Sequence, residues 1–177
     1  MWRRAVATSG QGIRLPGMRE PVFTETLQIA LVVHDLEATM RTYVHEYGIG
    51  PWQIYEFNSE TVTEMVKDGQ PAEYAFRIAV TMVGSVQWEL IQPLDDKSMY
   101  AEFLATKGQG LHHVAMGVPS YGEALDTLRA KGRRVHQGGV YNGVTFAYLS
   151  TDEDLGVVTE ILDWPPGLEQ KPDAVYP

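Results

Sequence analysis

A strand-like run, a capped helix and a strand-rich stretch occur in that order twice along the chain. Leu27 to Val33 (LQIALVV) opens the first copy and His112 to Val118 (HHVAMGV) the second. After the first run, Asp35 supplies an N-cap. Leu36, Met40, Tyr43, Val44 and Tyr47 then recur on one helical face until Gly48 stops it. After the second run, Ser120 with Glu123 forms a capping box, Ala124, Leu125 and Leu128 give the apolar face, and Gly132 ends the helix. Strand character follows each helix: Tyr74 to Met82 and Ser85 to Gln92 in the first copy, Val144 to Leu149 and Val157 to Leu162 in the second. The closing runs match as well, Glu89-Leu90-Ile91-Gln92-Pro93 against Glu160-Ile161-Leu162-Asp163-Trp164-Pro165.

A unit repeated in this way predicts an α+β fold: two tandem βαβββ modules whose eight strands form two curved sheets around a cleft or open barrel. The layout expected is an N-terminal extension over residues 1–25, a first module over 26–94, a linker helix within 95–110 (roughly Ser98 to Thr106), a second module over 111–166 and a tail over 167–177. The chain begins Met1-Trp2-Arg3-Arg4 with no apolar run behind it, so no signal peptide is read and the cytoplasm is the expected compartment.

Duplication also brings chemistry-bearing residues into register. Aligned on their opening strands, the copies match Gln28 with His113; aligned on their closing strands, they match Glu89 with Glu160. The spacing is 61 residues in the first copy and 47 in the second, and the extra 14 fall around Asn58 to Ala72, where a longer loop costs little. A carboxylate inside an apolar strand is costly unless it is paired or bound to a cation. One such Glu is most simply a solvent-facing strand residue. Two at matched positions, with a matched Gln and His, point to four donors converging on one point. Because neighbouring strand residues face opposite sides, the register selects His113 for the cleft and leaves His112 packed or exposed. His34, His45 and His136 have no matched partner and read as surface or core residues.

Composition narrows the chemistry. The chain has no cysteine, which excludes disulfides, thiolate metal sites and cysteine nucleophiles. Its net charge of −9 argues against a nucleic-acid partner. Arg129, Lys131, Arg133 and Arg134 do cluster; they read as the solvated end of a helix, with a site for the phosphates of a coenzyme A ester as the alternative. No apolar run is long enough to span a membrane.

The segments around Gln28 to Leu36, Glu89-Leu90-Ile91-Gln92-Pro93-Leu94, Gly110-Leu111-His112-His113-Val114-Ala115 and Gly156-Val157-Val158-Thr159-Glu160 resemble the glyoxalase / vicinal-oxygen-chelate superfamily. The resemblance covers about residues 26 to 166, and its texture is closest to the methylmalonyl-CoA epimerase-like and glyoxalase-like branches. It implies one divalent metal ion (Zn, Co, Mn, Ni or Mg) held by Gln28, Glu89, His113 and Glu160, a set similar to that of eukaryotic-type glyoxalase I. Epimerases of the superfamily carry His where this chain has Gln28. Val32 and Gln109 stand where glyoxalase I would use arginines for glutathione. The Gly48-Ile49-Gly50-Pro51-Trp52 segment is similar to one found in glyoxalase-like proteins.

The activity this implies is isomerase, epimerase or lyase chemistry by enolisation of a chelated carbonyl, on a small carbonyl compound or an acyl-CoA. Glu160 would be the base, and Glu89 a ligand or second acid/base. A ligand-sequestering protein without metal and an iron-dependent ring-cleaving dioxygenase are the competing readings. Trp52, Tyr55, Phe76, Trp88 and Tyr141 are the aromatic residues that could line a pocket. Edge strands and the resemblance together imply a homodimer.

Overall fold

The computed structural model describes residues 20–177, so the expected N-terminal extension and the reading of no signal peptide fall outside the described residues as far as residue 19. The chain runs β1 (Glu25–Val32), α1 (Leu36–Tyr47), β2 (Trp52–Phe57), β3 (Val62–Lys67), β4 (Gln70–Pro71), β5 (Phe76–Val83), β6 (Val86–Pro93) and α2 (Met99–Lys107). It continues with β7 (Gly110–Gly117), α3 (Tyr121–Ala130), β8 (Val135–Tyr141), β9 (Val144–Leu149), α4 (Asp152–Leu155), β10 (Val158–Asp163) and β11 (Ala174–Tyr176). The fold is α+β, as the repeat predicted.

The caps are where the sequence puts them. Asp35 accepts from Ala38 N at 2.9 Å, and Gly48 ends α1 in the left-handed region at φ 67°. Ser98 caps α2 and Ser120 caps α3.

All strands belong to one open, curved sheet, in the order β11-β2-β5-β6-β1-β7-β10-β9-β8-β3-β4. The two halves join where β1 and β7 pair antiparallel, so there is one continuous sheet in place of the two expected. Ile29 faces Val114 across this join, with Gln28 opposite Ala115 and Ala30 opposite His113. A local two-fold through the Ile29/Val114 pair therefore exchanges Gln28 with His113. The parallel pairs repeat the relation: β6 sets Glu89 beside Ala30, and β10 sets Glu160 beside Ala115.

The stretch around Asn58 to Ala72 is a correction to the expected loop. It forms the β3–β4 hairpin, and β3 pairs with β8 at the far edge of the second half. Gly139 makes that approach possible: a Cβ there would lie 2.7 Å from Val62 Cγ1. In exchange, the C-terminal segment returns to the first half, where β11 pairs with β2. Each half thus covers an outer edge of the other, which removes long unpaired edges. Among the described residues it also raises the strand count from the eight expected to eleven.

Strand alternation sorts the side chains into two faces. On the outer face, Leu36 and Met40 of α1 pack on Trp52, Ala79 and Leu90, while Ala124 and Leu128 of α3 pack on Ala147, Leu149 and Ile161. Leu36 and Met40 are fully buried, and each contributes about 1.5–3 kcal/mol. The inner face holds Ala30, Val32, Tyr55, Phe76, Ile78, Val80, Ile91, Phe146 and Tyr148, capped at one end by Tyr100 of α2. Gln28, Glu89, His113 and Glu160 occupy this same inner parity.

Candidate active site

Glu89, His113, Glu160 and Gln28 stand on four adjacent strands, and the geometry brings all four together. His113 is fully buried, and the other three are each 4% exposed. The imidazole sits between the carboxylates, with Nε2 3.4 Å from Glu89 Oε2 and 3.3 Å from Glu160 Oε2. Neither contact has hydrogen-bond geometry, so His113 Nε2 and Glu89 Oε2 are buried polar atoms without a hydrogen-bond partner. Groups of this kind call for a ligand or an ion to satisfy them.

Gln28 donates through Nε2 to Gln87 Oε1 at 2.8 Å. Burial pushes the Glu89 carboxyl up from its ordinary range; His113 and Gln28 pull it back, and Glu160 adds to the rise. Burial pulls His113 down, but Glu160 and then Glu89 more than reverse this and hold it at about 9.

The donor set fits a divalent cation in chemistry and in spacing. Three oxygen-bearing side chains and one imidazole suit a borderline or hard ion. Two donors about 2.1 Å from a common centre stand roughly 3.0 Å apart in an octahedron and roughly 3.4 Å apart in a tetrahedron. The His113–carboxylate separations fall at the upper end of that range. Even so, no group of three or more His, Asp or Glu among the described residues forms a ready-made cage. Gln28 commits an amide N–H to Gln87 Oε1. Loading would require His113 to give up a proton.

His112 departs from expectation. Strand alternation should have sent it away from His113, but β7 slips register there: Ala30 faces His113 while Leu31 faces Leu111. The bulge leaves His112 unpaired and re-aims its ring. Its Nδ1 lies 3.0 Å from His113 Nδ1, and Tyr100 and Phe103 of α2 pack edge-on against it at 5.1 and 5.0 Å. Burial, then His113 and Lys107, lower the His112 pKa to about 2, so its ring is neutral. A neutral His112 can accept from His113 Nδ1–H, which turns Nε2 toward the carboxylates. The adjacent His pair was the only sequence signal for this partnership.

The site opens into a cavity of about 60 Å³ lined by Gln28, Glu89 and Glu160 at its polar end and by aromatic residues elsewhere. Of the five aromatic residues named from sequence, Tyr55, Phe76 and Tyr141 line it. Trp52 is buried on the outer face under α1, and Trp88 is also on that face, donating to Tyr43 Oη at 3.1 Å. Phe57 stacks between Phe76 and Tyr141 at 4.7 and 4.0 Å. Tyr148 covers His113 at 4.8 Å, and burial, then Glu160, keeps its hydroxyl protonated. Trp164 and Gln170, from the segment leading to β11, complete the lining. Tyr148, Phe57, Trp164 and Gln170 were not singled out in the sequence; alternation within β9 and β2 was the only available clue to the first two.

The basic cluster lies elsewhere. Arg129 pairs with Asp126 at 3.9 Å, and Arg133 pairs closely with Asp154. Among the described residues, no helix is long and apolar enough to cross a membrane.

Known proteins place the fold. The chain is 36% identical over 96 residues to the uncharacterized protein YqjC of Bacillus subtilis (strain 168), a match covering 51% of this chain and 67% of that protein. Its fold is similar to that of hypothetical protein BH1468 from Bacillus halodurans C-125, with a TM-score of 0.63, 22% identity and coverage of 82% and 98% of the two chains. It is also similar in fold to methylmalonyl-CoA epimerase from Mycobacterium tuberculosis, with a TM-score of 0.57, 21% identity and coverage of 84% and 93%. Residues 27–148 match the Glyoxalase/Bleomycin resistance protein/Dioxygenase superfamily, and the chain belongs to that family.

Proposed function

We propose that this protein is a divalent-metal-dependent isomerase, epimerase or lyase that moves a proton on the carbon next to a substrate carbonyl. The observation that carries this reading is the buried Glu89–His113–Glu160 cluster at the polar end of an otherwise apolar cavity, with two of its polar atoms unsatisfied. Gln28, Glu89, His113 and Glu160 would hold the cation. When bound, the cation polarises a carbonyl and makes the neighbouring C–H acidic.

The side chains divide the remaining work. Glu89 has Oε2 sealed from solvent, which suits a fixed ligand. Glu160 lines the cavity on the strand that also carries Leu162 to it, with Trp164 just beyond, and would accept the proton from an incoming substrate. His112 positions the imidazole, and the aromatic lining excludes water from the reacting carbon.

A ligand-sequestering protein on the same fold is the second reading. Its support is that a protonated His113 offsets part of the carboxylate charge without a cation.

The test is solvent deuterium exchange at the carbon next to the carbonyl, with metal content measured in parallel. Glu160→Gln should retain metal and lose roughly 100- to 10,000-fold of the exchange rate, because an amide oxygen can ligate but cannot take the proton. Unchanged exchange in a metal-bearing Glu160→Gln variant would move the base to Glu89. Purified protein that takes up no divalent ion would favour the second reading.

A further inference from the structure

Among the described residues, the polar end of the cavity carries no spare positive charge. Its ionisable lining groups are Glu89 and Glu160, with His113 behind them. Two carboxylates neutralise a divalent cation, and Gln28 adds nothing. With a proton on His113 in place of a cation, the balance is still negative. A substrate carboxylate would enter against this, since burying an unpaired charge is expensive. The opposite wall is apolar: Phe57, Phe76, Tyr141, Phe146 and Trp164 present ring faces and edges.

The space outside the cavity has the same character. A groove of about 480 Å³ adjoins the cavity, sharing Gln28, Leu162 and Trp164 with it. That volume is in the range of small-molecule sites, roughly 300–1,000 Å³. Its acidic lining residues are Glu25 and Asp163, and among the described residues neither Lys nor Arg lines it. It borders the N-terminal end of α3, at Ser120 to Gly122. The basic cluster follows the other end of that helix, roughly 15 Å away for its ten residues. Coenzyme A carries a pyrophosphate and a further phosphate, and this groove offers them carboxylates.

From this geometry we infer that the site takes an uncharged carbonyl compound with an apolar, preferably aromatic, head and a short polar remainder, and discriminates against acyl-CoA esters and free carboxylic acids. The inference rests on the proposed proton transfer beside a carbonyl and narrows its substrate class.

The experiment uses the full chain, as purified and after loading with Mn²⁺, and three probes: 2-hydroxyacetophenone, mandelate and propionyl-CoA. The first two share a phenyl ring and oxygens on two adjacent carbons, and mandelate adds the charge of a carboxylate. Binding is read by calorimetry and by quenching of tryptophan fluorescence, with Trp164→Phe as the control for a cavity signal. Deuterium exchange is followed separately. The neutral ketone should bind at least tenfold more tightly than mandelate or propionyl-CoA. Leu162→Lys, which puts a cation at the junction of cavity and groove, should reverse the order of ketone and mandelate; circular dichroism verifies its fold.

Tighter binding or faster exchange with propionyl-CoA or mandelate overturns the inference and leaves the proposed chemistry standing. Tighter binding of the ketone without exchange upholds the charge selectivity and removes the proton-transfer reading. Binding of none of the probes overturns the inference.

Discussion

The two halves of this sheet have the same backbone plan and different chemistry. In the first, the inward donor on β1 is Gln28, and its neighbour on β6 is Gln87, a neutral amide hydrogen-bonded to it. In the second, the equivalent donor on β7 is His113, and its neighbour on β10 is Val158. His113 has no side-chain partner on that side; its partner is His112, re-aimed by a bulge that occurs on β7 at the β1–β7 join. The local two-fold therefore dictates where donors stand and not what they are. The titratable nitrogen lies entirely in the second half. The first half contributes an amide that neither gains nor loses a proton.

The largest expected effect comes from breaking the second half. His113→Ala removes the group between two buried carboxylates and should cost about 3–5 kcal/mol at neutral pH, measured by urea unfolding. The deficit should shrink in acid, because burial already favours the protonated form of Glu89. A loss below about 1 kcal/mol would mean that the carboxylates find another partner.

A pH titration sharpens the comparison without mutation. His113 is held above its ordinary 6.5, at about 9, so the folded state binds its proton more tightly than the unfolded chain does. Its contribution to the stability of metal-free protein is present in full below about 6.5 and is lost as pH rises through about 9. The same proton competes with a cation. Affinity for Mn²⁺ should therefore rise by about tenfold per pH unit until the pH passes the His113 value, then level off. Calorimetry at several pH values checks both the slope and the proton release. In Gln28→Ala the pH slope should persist; in His113→Gln it should vanish.

Smaller effects belong to the first half. Gln28→Ala should cost about 1–2 kcal/mol, the loss of a neutral buried hydrogen-bond partner. Gln87→Val makes the first half resemble the second. It should leave stability nearly unchanged and alter metal affinity by about tenfold, the lower end of what a group that orients a ligand contributes. An equal loss from Gln28→Ala and His113→Ala would erase the distinction between the halves.

Much of the plan was legible in the sequence because it depends on local chemistry. Asp35, Ser98 and Ser120 cap helices through their own side chains. Period-two alternation sets the inward parity of Gln28, Glu89, His113 and Glu160. A repeat makes matched positions equivalent whatever loop lies between them. Other features depend on partners remote in sequence. The stretch around Asn58 to Ala72 has little apolar patterning, and it becomes strand only because β8, with Gly139, presents an edge that a backbone can approach closely. β11 exists because β2 has a free edge within reach of the C-terminal segment.

At the site, the sequence determined which residues could act and which faces they share, because side-chain type and alternation are properties of the chain itself. Only the tertiary structure decided that His112 joins His113, that Tyr148, Trp164 and Gln170 close the cavity, and that the basic cluster stays away from it. Bulges, cross-sheet approach and the charge balance of a buried space come from groups far apart in sequence, whose separations are set by how the whole sheet curves.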